Sequence, residues 1–368
     1  MLSPQMNRIP RFTVATALLC GASCQSLSSS EAPRLAGAEP VDHLIQPGET
    51  HFAHLWQLTH GGNNAEGYWS FAEDRLCLQH EGGDIACDRI YVTAPDAPRL
   101  IQVSNGLGKT TCSYFMPGDK EVIFASTQSH HAACPPPIDK SDGYVWAIHP
   151  EFDLYVVNLE TGAERRITDQ WGYDAEATIS PLGDSMVFTS TRSGDIELWT
   201  SNLDGSNPRQ VTHELGYDGG AFFSHDGRKL VFRATRFTDD GPGTREKYVE
   251  LLKKDKIRPH MLDIYTCNVD GSERKRVTDL GGASWAPYFF PGDQRIIFST
   301  NHHDPRPQKF EFDLFAIGAD GRDLEQITTY VGFDSFPMFT RDGKWLVFAS
   351  NRGGQEAGET NLFLARWK

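Results

Sequence analysis

A hairpin-like unit that returns along the chain limits the fold more than any other feature. Its clearest form is Tyr217-Asp-Gly-Gly-Ala-Phe-Phe-Ser-His-Asp-Gly-Arg-Lys-Leu-Val-Phe232, with related versions at Tyr173–Phe188 and Phe333–Phe348. Each reads as a loop carrying an acidic residue, a short apolar strand, a polar turn and a second apolar strand. Apolar residues on such strands alternate, as half-buried strands require, and Phe223, Phe232, Trp199, Phe298, Phe339 and Phe348 are the expected core. A repeat of this kind has to be solved from its period before any one residue is interpreted.

With the Asp218 position as register mark, equivalents fall at Asn64, Gly108, Asp174, Asp218, Leu280 and Asp334. The spacings are 44, 66, 44, 62 and 54 residues, so the basal unit is 44 and three units carry extra length. A third strand begins at Asp153, Asp195, Asp263, Asp313 or Asn361, and a fourth ends in Arg-Arg-Ile-Thr168, Arg-Gln-Val-Thr212, Lys-Arg-Val-Thr278 or Glu-Gln-Ile-Thr328. Four short antiparallel strands per 40–45 residues define a propeller blade, and six marks make six blades. The last unit stops 34 residues after Asp334 without a fourth strand, while His54-Leu-Trp-Gln-Leu-Thr59 has the fourth-strand pattern ahead of the first mark. An all-β, six-bladed β-propeller whose last blade is closed by an N-terminal strand follows, and closure removes both open sheet edges.

The N-terminus reads as an export signal over residues 1–23. Arg8 and Arg11 precede an apolar run, Phe12 to Leu19, too short to span a bilayer. Gly21-Ala22-Ser23-Cys24 resembles a bacterial lipobox, with Gly21 where Leu is usual, and implies lipidation of Cys24; ordinary cleavage after Ala22 or Ser23 is the alternative. Gln25 after that Cys implies outer-membrane retention. Residues 24–50 read as a flexible tether and 51–368 as the propeller. The expected location is the periplasmic side of the outer membrane, touching lipid only through the anchor, or a soluble periplasmic or secreted state. A net charge of −14, from 35 Lys and Arg against 49 Asp and Glu, argues against a nucleic-acid surface.

Export permits disulfides. Cys77 and Cys87 flank Glu81-Gly82-Gly83 and are expected to face each other across a hairpin; Cys112 is expected to reach Cys134, leaving Cys267 as a buried thiol.

The turns Ser224-His-Asp-Gly227 and Thr340-Arg-Asp-Gly343, the Asp-Ile-Tyr strand starts and the Arg-x-Val-Thr strand ends resemble the PD40, or WD40-like, repeats of the TolB propeller, over roughly residues 51–368. They are similar also to the propellers of dipeptidyl-peptidase-IV-type enzymes. The chain has no room for the α/β domain that precedes the TolB propeller, and no Gly-x-Ser-x-Gly elbow for a serine hydrolase. The resemblance therefore implies architecture more than activity.

Connections between fourth and first strands share a face with those between second and third. That face collects Asp174, Glu176, Asp218 and Asp334 beside Arg192, Arg236 and Arg352, together with the three insertions, Ser129–Phe152, Phe237–Leu262 and His302–Phe312. The acids and arginines form either a polar pocket for a partner or a set of structural ion pairs. Within the second insertion Tyr248, Leu251 and Leu252 have helical spacing, the mark of a lid. His130, His131, His302 and His303 are candidate ligands for a divalent ion, Ca, Mn or Zn, and the resemblance to His-metal polysaccharide lyases makes that concrete; otherwise they are loop histidines. The leading functional reading is a non-catalytic module that binds an envelope protein or lipoprotein. The alternative is a metal-dependent carbohydrate lyase or hydrolase. A third reading is a ring stabilised by Ca²⁺ without chemistry.

Overall fold

The computed structural model describes residues 35–94, 99–139, 141–237, 244–306 and 310–368. The signal segment and Cys24 lie outside the described residues. Strands a to d of blade one are Asn63–Trp69, Leu76–Gly82, Ile85–Thr93 and Leu100–Gln102. Blade two has Thr110–Phe115, Glu121–Ser126, Asp153–Asn158 and Glu164–Arg166. In blade three they are Asp174–Ile179, Met186–Ser190, Glu197–Ser201 and Arg209–Gln210. Blade four follows with Asp218–Phe223, Lys229–Ala234, Asp263–Asn268 and Lys275–Arg276. Ser284–Phe289, Arg295–Thr300, Asp313–Gly318 and Glu325–Gln326 make blade five. Blade six combines Asp334–Phe339, Trp345–Ser350 and Asn361–Trp367 with the N-terminal Phe52–Gln57 as strand d.

The closing strand pairs antiparallel with the C-terminal one, Leu55 opposite Ala365 and Trp56 opposite Leu364, so the two ends of the propeller share one sheet. Within each blade, strands a and b start on one recurrent pair: Asn64 faces His80, Thr110 faces Ser126, Asp174 faces Ser190, Asp218 faces Ala234, Ser284 faces Thr300 and Asp334 faces Ser350. The true marks in blades two and five are thus Thr110 and Ser284, not Gly108 and Leu280, because the loops before strand a differ in length. Two residues before each strand-b partner stand Leu78, Phe124, Phe188, Phe232, Phe298 and Phe348, all at most 1% exposed. Each contributes roughly 2–3 kcal/mol of burial, and Phe124, Phe232 and Phe348 stack on Tyr155, Tyr265 and Phe363 of their own blades. Trp199 differs from the rest of the expected core: it is half-buried, lying under the Arg192 guanidinium at 5.1 Å.

Residues 35–50, read from sequence as the end of a spacer, are packed on blade six. Glu39–Pro40 adds a fifth strand beside Phe52–Gln57, and Glu49 is 2% exposed.

The cysteine pairing departs from expectation. Cys77 faces Val92 across the hairpin, several pairs away from Cys87, and its thiol turns into the core to the Ser113 carbonyl at 3.4 Å. Cys87 instead bonds Cys134, 47 residues on, which ties the first insertion to blade one. Cys112 and Cys267 keep free thiols, the latter buried as expected.

The insertions do sit between strands b and c of blades two, four and five. The second forms a helix, Thr244–Leu252, with Tyr248 and Leu251 buried. Its exit strand Lys256–Ile257 pairs with Trp146–Ala147 of the first insertion. Two insertions that are far apart in sequence thereby become one ribbon. Among the described residues no helix is long and apolar enough to cross a membrane.

Candidate functional site

Every strand a is bulged at the same place, two residues past its mark. A bulge inserts an unpaired residue and re-aims its side chain. Here the residues so placed are Glu66, Cys112, Glu176, Gly220, Ala286 and Phe336, with φ of 53, 50, 57, 59, 48 and 55°. For five of them the left-handed conformation costs of order 1 kcal/mol each. All six meet in one small space at the centre of the propeller.

Glu176 is the best-held member. Its carboxylate accepts from Thr189 Oγ1 at 2.7 Å, from the Gly220 N–H at 2.9 Å, from the Tyr217 hydroxyl, and from Arg233 of blade four. Arg233, 8% exposed, also donates to the Tyr217 hydroxyl at 2.6 Å and lies between the rings of Trp146 and Tyr217, 5.4 and 5.3 Å from their centres. Against the pull of burial, Glu176 and Tyr217 raise its pKa. Gly220 makes the room, since a Cβ there would stand 2.1 Å from Arg233 Nη1.

Glu66 is different. Burial first, then the Glu176 charge, push its carboxyl up to about 7. Its carboxylate accepts from the Cys112 thiol at 3.6 Å. That thiol is itself pushed far up by burial and by Glu66 and Glu176, so it is protonated and unreactive at neutral pH.

Above this floor opens a cavity of about 730 Å³. Pro135–Ile138 and Tyr144–His149 of the first insertion form one wall, and Trp285, Phe333 and Phe336 form another. The Cys87–Cys134 bond anchors the first wall. Asp88 and Lys109, paired at 3.0 Å, stand at the side.

The expected acid and arginine residues fall into two sets. Asp174 pairs with Arg192 at 2.8 Å, Asp218 with Arg236 at 2.7 Å and Asp334 with Arg352 at 2.8 Å. Each pair ties the start of strand a to the end of strand b within its own blade. The three aspartates are at most 2% exposed, so their carboxylates serve as internal struts, while Arg192 and Arg236 stay partly exposed. Burial pushes Asp218 and Asp334 up to about 6 in spite of their arginines. Arg352 additionally holds Glu49 at 2.9 Å. Only Glu176 of the expected set lines the cavity; Glu66, Arg233, Tyr217 and the aromatic walls were missed.

The two histidine pairs are not brought together by their partners. His130 lies 3.7 Å from Asp153 and His131 3.5 Å from Glu151, in blade two. In blade five, His302 packs on Phe315, and His303 Nε2 lies 3.0 Å from Asp313 and 3.8 Å from Glu311. His303, Glu311 and Asp313 offer one imidazole and two carboxylates within 4.8 Å of one another, a donor set that suits Mn²⁺ or Zn²⁺.

A closed ring of six four-stranded blades, sealed by an N-terminal strand, is a β-propeller. The family profile of the TolB beta propeller domain matches residues 145–241, and the chain as a whole has a TolB-like six-bladed propeller fold. Putative TolB from Agrobacterium tumefaciens is 17% identical, with 83% of this chain and 91% of that one covered and a TM-score of 0.53. Oligogalacturonate lyase from Vibrio parahaemolyticus is 10% identical over 90% and 97%, with a TM-score of 0.50. Hydrazine synthase from Kuenenia stuttgartiensis is 12% identical over 76% and 39%, with a TM-score of 0.51. Likeness at these identities is likeness of fold.

Proposed function

We propose that this chain is an exported, lipid-anchored and non-catalytic binding module of the bacterial cell envelope, which takes an extended segment of an envelope protein or lipoprotein into its central cavity. The observation that carries the reading is the cavity of about 730 Å³ on the face that bears every insertion. Its size suits a side chain or two with their backbone rather than a folded domain, and its walls are aromatic with a few placed polar groups. A bare ring needs no such wall, nor a disulfide to hold it. Export and anchoring rest on residues 1–24 and on the TolB resemblance, which also supports a periplasmic location.

A photo-crosslinking residue at Ala147, on the cavity wall, is expected to give a protease-sensitive adduct in intact cells, whereas one at Arg322, on the opposite face, gives none. Equal labelling from both, or none from Ala147, overturns the module. Cys24→Ala is expected to move the protein from the membrane to the soluble fraction, and unchanged partition removes the anchor.

A second reading, a metal-dependent carbohydrate lyase or hydrolase, draws on the His303, Glu311 and Asp313 cluster. Those three would hold the ion, which would supply a Lewis acid. Against it, Arg306 already shares Glu311 at 3.1 Å and Gln326 already donates to Asp313 at 2.8 Å. Stoichiometric Mn or Zn lost in His303→Ala would favour this enzyme; metal content unaffected by that change would count against it.

A further inference from the structure

We infer that the central cavity selects a cationic group, an alkylammonium or guanidinium, and seats it against Glu66 between aromatic walls. The inference rests on the cavity being the binding site and adds the chemistry of what it binds.

The charges that line the cavity are Glu66, Glu81, Asp88 and Glu176 against Lys109 and Arg233. Asp88 is matched by Lys109, and Glu176 by Arg233. Among the described residues no Lys, Arg or His stands within ion-pair distance of Glu66; its neighbour is a protonated thiol. Arg233 makes no ion pair with it, Nη2 being bound to Glu176 and the Tyr217 hydroxyl, and acts on Glu66 only as a more distant charge.

Two costs coincide at this residue. The backbone is held at a φ of 53°, and a carboxyl is placed in the interior with no cation beside it, which is expensive unless the group is neutralised. The φ is common to all six bulges, so it is the acid without an ion-pair partner, at the floor of an open cavity, that points to a ligand completing the pair. The raised affinity of Glu66 for a proton is the same deficit seen another way.

The walls suit a cation as well. Trp146, Tyr217, Trp285 and Phe336 line the space, and aromatic rings attract ammonium and guanidinium groups. Trp146 and Tyr217 already do this for Arg233. An anionic ligand would meet four carboxyls, Glu66, Glu81, Asp88 and Glu176, against two cations, Lys109 and Arg233, that already pair with Asp88 and Glu176.

The full chain is titrated with four probes, N-acetyl-lysine amide, N-acetyl-arginine amide, N-acetyl-norleucine amide and N-acetyl-glutamate amide, followed by tryptophan fluorescence at pH 8. The two cationic probes are expected to bind at least about tenfold tighter than norleucine, the size of effect one charge-assisted contact supplies. Glu66→Gln is expected to cut that preference to less than about threefold while the norleucine probe still binds and the far-ultraviolet spectrum is unchanged. Tighter binding of the neutral or acidic probe, or a preference that survives in Glu66→Gln, overturns cation selection and leaves the cavity as a site. No binding of any probe overturns both.

Discussion

Two ensembles of acids and arginines lie within a few residues of each other, and they have opposite characters. At the starts of the strands, Asp174, Asp218 and Asp334 each meet one arginine of their own blade and are sealed from water. Two residues further on, at the bulges, Glu66 and Glu176 face the axis, and the arginine that reaches them from another blade, Arg233, pairs with Glu176. In the outer set every aspartate has an arginine; in the inner set Glu66 has no ion-pair partner among the described residues. What distinguishes them is not residue type but the bulge, which turns one residue of each strand a, two past its mark, out of the ladder and toward the axis. Matched buried pairs tie strand a to strand b inside a blade, and an acid without a cation at the floor of an open cavity leaves a place for something else.

Arg352→Ala breaks the outer set hardest. It leaves Asp334 and Glu49 buried without their cation and is expected to cost about 3–5 kcal/mol, read as a lowered urea midpoint. A loss below about 1 kcal/mol, the range of an exposed pair, would show that the struts are ornamental. Next comes the wall of the inner site. Serine at both Cys87 and Cys134 opens a 47-residue connection and is expected to cost about 2–4 kcal/mol, with weaker binding of cationic probes. Full probe affinity in that variant would mean that the wall stands without its anchor.

Within the inner set the two glutamates should respond in opposite directions. Glu176→Gln strands the buried Arg233 and is expected to cost about 2 kcal/mol, whereas Glu66→Gln removes an unmatched acid and is expected to leave stability unchanged or raised at pH 8. Equal losses would erase the distinction drawn here. The smallest effect concerns pH. The groups facing Glu66 are Glu176, Arg233, Asp88 and Cys112, and the folded carboxyl keeps its proton up to about 7 while the unfolded one releases it near 4.5. Below 4.5 both states are protonated and nothing is lost; as pH rises through 4.5 to 7 the folded state loses stability relative to Glu66→Gln. The difference between the two proteins at pH 5 and pH 8 is expected to change by about 1–2 kcal/mol, less than the full shift because the group is partly open to solvent. A parallel pair of curves would place the carboxyl in ordinary solvent.

The fold was readable because it is repeated. Turn residues, strand starts and strand ends recur at intervals, and ten residues around His54-Leu-Trp-Gln-Leu-Thr59 complete what the C-terminus lacks. The outer ion pairs were readable for the same reason: Asp174 and Arg192, Asp218 and Arg236, Asp334 and Arg352 stand 18 residues apart in three blades. Their burial was not, since an aspartate beside an arginine looks the same in a pocket and in a core. The bulge ring escaped notice because Glu66, Cys112, Glu176, Gly220, Ala286 and Phe336 share no chemistry. Their one common signal is an offset of two from the register mark, and it was blurred where Gly108 and Leu280 stood in for Thr110 and Ser284. The disulfide was missed because opposition across a hairpin needs direct pairing, and Cys77 pairs with Val92.

The sequence by itself determined the number of blades, the closure of the ring and the face that carries the insertions, all of which follow from local strand and turn preferences repeated at a period. Only the tertiary structure decided which acids are neutralised. Glu176 meets Arg233 across 57 residues and from one blade to the next, the first insertion is anchored to blade one by Cys134, and its ribbon partner comes from the second. Such contacts depend on how far each blade is rotated about the axis, and no local pattern encodes that rotation. Electrostatic energy in a low-dielectric interior varies steeply with distance, so the charge of Glu66 was settled only when all six blades were in place.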